Sequence, residues 1–162
     1  FSATLHEGKI TQYGQTQSVY KDPISLTAAK IFSDPPLNTV NVEKRDEELC
    51  LDSGVRWKVM GYSTISNGNY TLGFRAHHLK LATSKPDEIK LTGEVLVTEI
   101  SGSESFIHIK SNGNIWVIHT HGIYNFKQGE QIQMYLSLHN CYVFDTDGKR
   151  VYAEYIKNSW RK

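Results

Sequence analysis

The sequence has only two cysteines in 162 residues. Cys50 and Cys141 stand far apart with no second pair near either, which fits neither a zinc knuckle nor the disulfide framework of a small secreted domain. Both are expected as thiols. No apolar run approaches the ~18 residues that cross a bilayer as a helix. Neither sign of charge dominates, since 18 Lys and Arg face 17 Asp and Glu for a net charge of +1. That balance argues against the concentrated basic surface with which nucleic-acid binders displace counterions. Nothing near Phe1 has the basic stretch and apolar core of a secretory leader, so the expectation is a cytoplasmic chain and a fragment of a longer one. The common catalytic signatures are missing as well. A phosphate-cradling loop needs G-x-x-x-x-G-K-[ST], and the Gly-Lys pairs here, Gly8-Lys9 and Gly148-Lys149, are followed by Ile10 and Arg150. No G-x-S-x-G, H-E-x-x-H or C-x-x-C occurs. The chain is therefore expected neither to bind nor to hydrolyse ATP.

What is present is a folded composition, 39% hydrophobic and 11% aromatic, in a chain long enough to bury roughly two thirds of its unfolded surface. Ala3 to His6 and Lys9 to Tyr13 flank Glu7-Gly8 and read as a hairpin, because glycine tolerates the positive φ of a tight turn. Asp22-Pro23 reads as an N-cap followed by proline at the first helical position, with Ile24, Ala28 and Ile31 at helical spacing, so a helix of about ten residues is predicted. Ser33-Asp34-Pro35-Pro36 stops it and marks a domain boundary, giving segments 1–36 and 37–162. Val19, Tyr20, Ile24, Ala28, Ile31 and Phe32 then form an apolar stripe expected to dock on a neighbour or fray.

Beyond residue 38 the hydrophobic period changes from helical to alternating, and turn signals at Asp52-Ser53-Gly54, Ser66-Asn67-Gly68-Asn69, Asn112-Gly113 and Asp147-Gly148 separate short strands. Five or six are predicted, the clearest from Gln131 to Leu138, with Ile132, Met134, Leu136 and Leu138 on one face. The expected class is mainly β, a small OB-like barrel, closed or nearly so because closure removes unpaired edges. Asp145-Thr146-Asp147-Gly148 begins like a calcium loop but has Ile156 where the bidentate carboxylate belongs, so a polar turn is expected.

A two-residue turn at Asn112-Gly113 pairs Lys110 with Ile115, His108 with Val117, Phe106 with His119 and Glu104 with His121, all on one face. Three imidazoles and a carboxylate on one face make His108, His119 and His121 candidate metal ligands. A polar strip that happens to use histidine is the preferred reading, because ligands must converge as well as share a face. Trp116, Tyr135 and Phe144 are candidate interface anchors, and a stacking platform for nucleic acid is disfavoured by the scattered cations.

The order of segments resembles the end of the ATP-binding subunit of sugar-type ABC importers. Glu7-Gly8-Lys9-Ile10-Thr11-Gln12-Tyr13-Gly14, Val19-Tyr20, Pro23 and Ser33-Asp34-Pro35-Pro36-Leu37-Asn38 are similar to that family's last ATPase-domain hairpin, helix and linker. Leu72-Gly73-Phe74-Arg75-Ala76-His77-His78-Leu79 resembles its L-G-I-R-P-E-H-L, with Ala76-His77 in place of Pro-Glu. Gly93 to Lys110, Gly129-Glu130, Phe144-Asp145 and Gly148-Lys149-Arg150 fall where further family motifs lie. The resemblance implies a regulatory (TOBE) domain of a maltose or sn-glycerol-3-phosphate type subunit. It would be non-catalytic alone, homodimeric, joined through its parent to transmembrane permeases and peripheral to the inner membrane face, with a regulatory protein as partner. ATP and Mg would belong to the parent chain and no cofactor to this one. Arg75 and Glu104 join the regulatory candidates. The competing expectation is an OB-like module that senses an oxyanion or a metal through the histidine face or Arg75.

Overall fold

A computed structural model describes residues 1–58, 61–83 and 85–153. The chain opens with the expected hairpin, β1 (Ser2–His6) against β2 (Lys9–Gly14). Its turn places Glu7 and Gly8 at φ of 50° and 76°, the positive values that a two-residue turn demands.

In place of one helix from Pro23, two helices of six residues follow, α1 (Thr16–Lys21) and α2 (Leu26–Ile31). Ser25 caps α2, its Oγ accepting from the Ala28 N–H at 3.2 Å. Helix cannot start at Pro23 because the backbone groups of Ile24 are taken and Ser25 is extended, bridging Lys149. The Ile24 N–H donates to the Gln12 side chain at 3.2 Å and the Ile24 carbonyl accepts from the Arg150 N–H at 3.0 Å. Helix α1 buries Val19 alone, so it carries no apolar period by which to find it.

The remaining strands are β3 (Asn38–Arg45), β4 (Glu48–Cys50), β5 (Arg56–Lys58), β6 (Gly68–Phe74), β7 (Glu88–Ser101), β8 (Glu104–Ser111), β9 (Asn114–His121), β10 (Gln131–Ser137), β11 (Cys141–Phe144) and β12 (Arg150–Val151). They build two antiparallel sheets, ordered β12-β11-β6-β3-β4-β5 and β10-β7-β8-β9. The class is mainly β, as the alternation of apolar residues indicates. The expected barrel closure is not observed. Instead the sheets share one core, in which Val40, Val42, Leu72 and Phe74 of the first join Ile107, Ile109, Trp116, Ile118, Met134 and Leu136 of the second.

A side chain does the work of a ladder where β3 meets β9. The buried Asn38 amide donates to the Val117 carbonyl and accepts from the Val117 N–H, both at 2.8 Å. Beside it the Trp116 indole donates to the Thr39 carbonyl at 3.0 Å. One side-chain amide thus satisfies a backbone pair that would otherwise be left buried without partners.

Helix α2 and Leu37 pack on the face of the six-stranded sheet that is turned away from the shared core. Leu26 N–H donates to the Gly148 carbonyl at 2.8 Å, so the stretch ahead of α2 runs along β12. Ala29 and Leu37 pack on Tyr142 and Phe144, while Cys141 and Val143 face the shared core. This two-sided covering is why all four residues of β11 are buried. A Cβ on Gly73 would come within 3.1 Å of both the Leu37 and Phe144 side chains, so the contact needs glycine there. The apolar stripe thus finds part of its partner in its own chain. Val19 and Ala28 are buried, while Tyr20, Ile24 and Ile31 keep 37%, 46% and 49% of their surface.

The Asp145 loop is a polar turn whose Oδ1 accepts from the Asp147 and Lys149 N–H groups at 3.0 and 2.8 Å. Ile156, the position that would complete a calcium loop, lies outside the described residues.

Candidate functional site

Arg75 leaves the end of β6 and begins the short 3-10 helix Ala76–His78. It is 3% exposed, and a buried cation is tolerated only where its donors are used. Nη1 donates to the Phe32 carbonyl at 2.9 Å and to Ser33 Oγ at 2.8 Å. Nη2 donates to the Tyr20 carbonyl, and Nε to the Tyr142 hydroxyl at 3.3 Å. The guanidinium carbon also lies 3.7 Å from the Tyr20 ring centroid, close enough for cation–π attraction. The Tyr20 and Phe32 carbonyls sit at the C-terminal ends of α1 and α2, where backbone acceptors lack helical partners. One side chain from the β body therefore finishes both helices of the first segment.

Beside this clamp opens a cleft of about 710 Å³ whose lining includes Tyr13, Tyr20, Asp22, His78, Tyr142 and Arg150. Burial pushes His78 down to about 4, with the His77 and Arg75 charges acting in the same direction. His77 is also held below its ordinary value, first by burial and then by Arg75. Both imidazoles are neutral at pH 7. Arg150 lies against Tyr142, its guanidinium carbon 4.4 Å from the ring centroid, and burial holds it below its ordinary value.

The other candidates fall into two groups. The β8–β9 register is as expected, with Glu104 opposite His121, Phe106 opposite His119 and His108 opposite Val117. The three histidines nevertheless do not converge. His108 Nε2 reaches Glu99 at 3.6 Å, whereas His119 Nε2 and His121 Nδ1 lie 3.3 and 3.9 Å from Glu104. The His119 ring stacks on Phe106 at 4.5 Å. Among the described residues no group of three His, Cys, Asp or Glu is placed to hold a metal ion, so His108, His119 and His121 share a face without converging on it. Trp116 and Phe144 are core residues, 1% and 0% exposed. Neither has a surface with which to anchor a partner, whereas Tyr135 on β10 is half-buried. Cys50 and Cys141 are both free, and burial pushes the Cys141 thiol up. The residues that sequence reasoning missed at the cleft are His78 and Arg150. Their signal was present in the motifs around them, but nothing in the chain's local pattern says that they are half-buried beside Arg75.

No protein-family model matches the chain. Curated relatives do. The sn-glycerol-3-phosphate import ATP-binding protein of Vibrio vulnificus (strain CMCP6) is 27% identical over 150 residues, covering 91% of this chain and 40% of that protein. The maltose/maltodextrin import ATP-binding protein of Yersinia pestis bv. Antiqua (strain Antiqua) is 30% identical over 163 residues, covering 93% and 43%. The chain spans about two fifths of the length of these relatives. A solved structure of the cytoplasmic molybdate-binding protein ModG superposes with a TM-score of 0.48 at 12% identity, over 65% of this chain and 94% of that one. Among the described residues no helix is long and apolar enough to cross a membrane. Over more than nine tenths of its length the chain is a relative of the C-terminal part of ATP-binding subunits of sugar and glycerol-phosphate ABC importers.

Proposed function

We propose that this chain is the regulatory and dimerisation part of an importer ATP-binding subunit for carbohydrates or glycerol phosphate, non-catalytic by itself. One observation carries the reading. The similarity to such subunits runs through both the first segment and the β body, and Arg75 ties those two parts together with side-chain bonds to Tyr20, Phe32, Ser33 and Tyr142. Residues 1–36 would be the last elements of the ATPase domain and 37–162 the TOBE-type regulatory domain. A clamped junction lets a partner seated on the β body bias the arrangement of the ATPase part, because a ligand shifts an equilibrium by its differential affinity for the two states. ATP and Mg would act in the parent chain, beside transmembrane permeases at the inner membrane face, under a regulatory partner protein.

The twin subunit would pair through the second sheet. Val97 and Ile115, on the outer face of β7 and β9 with His108 and Lys110, remain 47% and 68% exposed, and Tyr135 and Glu104 lie on β10 and β8 of the same sheet. A paired interface of this kind keeps two ATPase subunits together when nucleotide is absent. Sedimentation of the chain at ~100 μM, far above a typical specific dissociation constant, should give a dimer mass. A monomer at that concentration would contradict the proposal.

A further inference from the structure

The tetrapeptide Ser-Asn-Gly-Asn occurs twice in the chain, at residues 66–69 and 111–114. Asn67 and Asn112 are both exposed, and a Cβ on Gly68 or on Gly113 would meet nothing within 4 Å. Local sequence and free space are therefore alike in the two copies, and the surroundings of the asparagine side chain are what differ. An Asn-Gly pair is chemically labile, because glycine has no Cβ to keep its backbone nitrogen from the side-chain carbonyl before it. The attack closes a five-membered ring and needs no second molecule to be brought in.

Asn67 is held against it. Its Oδ1 accepts from the Asp46 N–H at 2.8 Å and its Nδ2 donates to Asp46 Oδ1 at 3.2 Å. The buried Lys44 Nζ reaches the same Oδ1 at 3.4 Å. Turning the carboxamide toward the Gly68 nitrogen breaks these bonds, and each bond broken adds to the barrier. Gly68 is itself part of β6, opposite Lys44. Asn112 has no such hold. Its Nδ2 donates to the adjacent Ser111 Oγ at 3.1 Å, and among the described residues its Oδ1 has no hydrogen-bond partner. The Gly113 N–H donates to no acceptor among the described residues either. Both lie at the exposed tip of the β8–β9 hairpin, where a turn opens locally without unfolding its strands.

We infer that Asn112 is a site of spontaneous deamidation, and that Asp46 and Lys44 protect Asn67 in the same tetrapeptide. Hydroxide removes the Gly113 amide proton, the nitrogen bonds to Asn112 Cγ, the Cγ–Nδ2 bond breaks, and Nδ2 leaves as ammonia with a proton from water. Water then opens the cyclic imide at either carbonyl, giving aspartate or isoaspartate. Isoaspartate carries the chain through the side-chain carbon and so lengthens the two-residue turn that fixes the β8–β9 register. The inference goes beyond the regulatory reading and stands whether or not the chain dimerises.

The full 162-residue chain, incubated at pH 8 and 37 °C in buffer and in concentrated urea, tests it by peptide mass spectrometry. In urea the two identical tetrapeptides should convert at similar rates. In buffer Asn112 should convert at least roughly tenfold faster than Asn67, as the loss of one to two hydrogen bonds implies, and both aspartate and isoaspartate should form. Gly113→Ala should slow the loss at residue 112 roughly tenfold or more by hindering the attack. Asp46→Gly, which suits the φ of 51° at that position, should speed the loss at Asn67 at least roughly threefold by removing the carboxylate that holds it. A native ratio below tenfold would overturn the inference. So would faster loss at Asn67, which would mean that Asp46 and Lys44 activate the carboxamide instead of holding it. No detectable loss at Asn112 in buffer by the time the urea sample has lost most of its own would do the same. Where circular dichroism shows that Gly113→Ala does not fold, Asp46→Gly decides, and an unchanged rate at Asn67 in that variant overturns the inference.

Discussion

The Arg75 clamp and the histidine strip of β8 and β9 both set nitrogen-bearing side chains among oxygens, one in the interior and the other at the surface. Arg75 is nearly sealed from water and uses its donors on two helix ends, a serine and a tyrosine. The strip keeps its groups wet, with the Glu104 side chain 43% and the His121 side chain 82% exposed, at separations of 3.3 to 3.9 Å. Burial decides how much each is worth. Breaking a satisfied buried network strands polar groups without water, whereas water replaces a lost partner at the surface. The clamp is therefore where the first segment and the β body are coupled, and the strip is a solvated face.

The largest expected effect is at the clamp. Arg75→Ala should lower stability by about 3 kcal/mol or more, since it removes a buried cation and leaves the Tyr20 and Phe32 carbonyls without their acceptor role. Urea melts of the two proteins check this, and a loss under about 1 kcal/mol would remove the distinction between clamp and strip. An intermediate effect is expected with acid. The folded value of His78 lies near 4 against 6.5 for the free group, so between those pH values the unfolded chain binds a proton that the native chain does not. Stability is fully retained above about 6.5, falls as the pH drops through that window, and levels off below about 4. Allowing for solvent screening of a half-exposed ring, the loss should be roughly 1–2 kcal/mol. His78→Gln should flatten that part of the profile. An identical slope in the variant would assign it elsewhere. The smallest effect is at the strip, where Glu104→Gln should change stability by less than about 1 kcal/mol at pH 6, as exposed pairs do. A larger loss in the same melts would mean that the strip is more than a solvated face.

How much of this could be read in advance follows from distance along the chain. The β8–β9 pairing was fully legible, because Asn112 and Gly113 adopt φ of 49° and 75° and a two-residue turn then fixes every partner from Ser111–Asn114 to Glu104–His121. The clamp was not legible. Its four bonds join groups 42 to 67 positions apart, and two of the acceptors are backbone carbonyls that any residue could supply. Arg75 could be singled out through its motif, but its role follows only from where α1 and α2 end. Helix α1 escaped for want of an apolar period, and the helix expected from Pro23 starts later because Gln12 and Arg150 take the Ile24 backbone groups. Trp116 and Phe144 looked like interface anchors because aromatic residues on strands carry no sign of which side they face. Two-sided covering of β11 puts Phe144 under Leu37 and Ala29, and the Asn38 seam puts Trp116 inside the core.

Arg75 makes the first segment and the β body one cooperative unit. Native-state hydrogen exchange measures it directly, through the amides of Val19 and Ala29, bonded to the Gln15 and Ser25 carbonyls, and those of β6. In the unaltered chain both sets should open with the same free energy, as one cooperative unit does. In Arg75→Ala the Val19 and Ala29 amides should lose protection by roughly a hundredfold or more, as about 3 kcal/mol implies, relative to β6. Fast exchange of Val19 and Ala29 in the unaltered chain, with β6 still protected, would contradict the account.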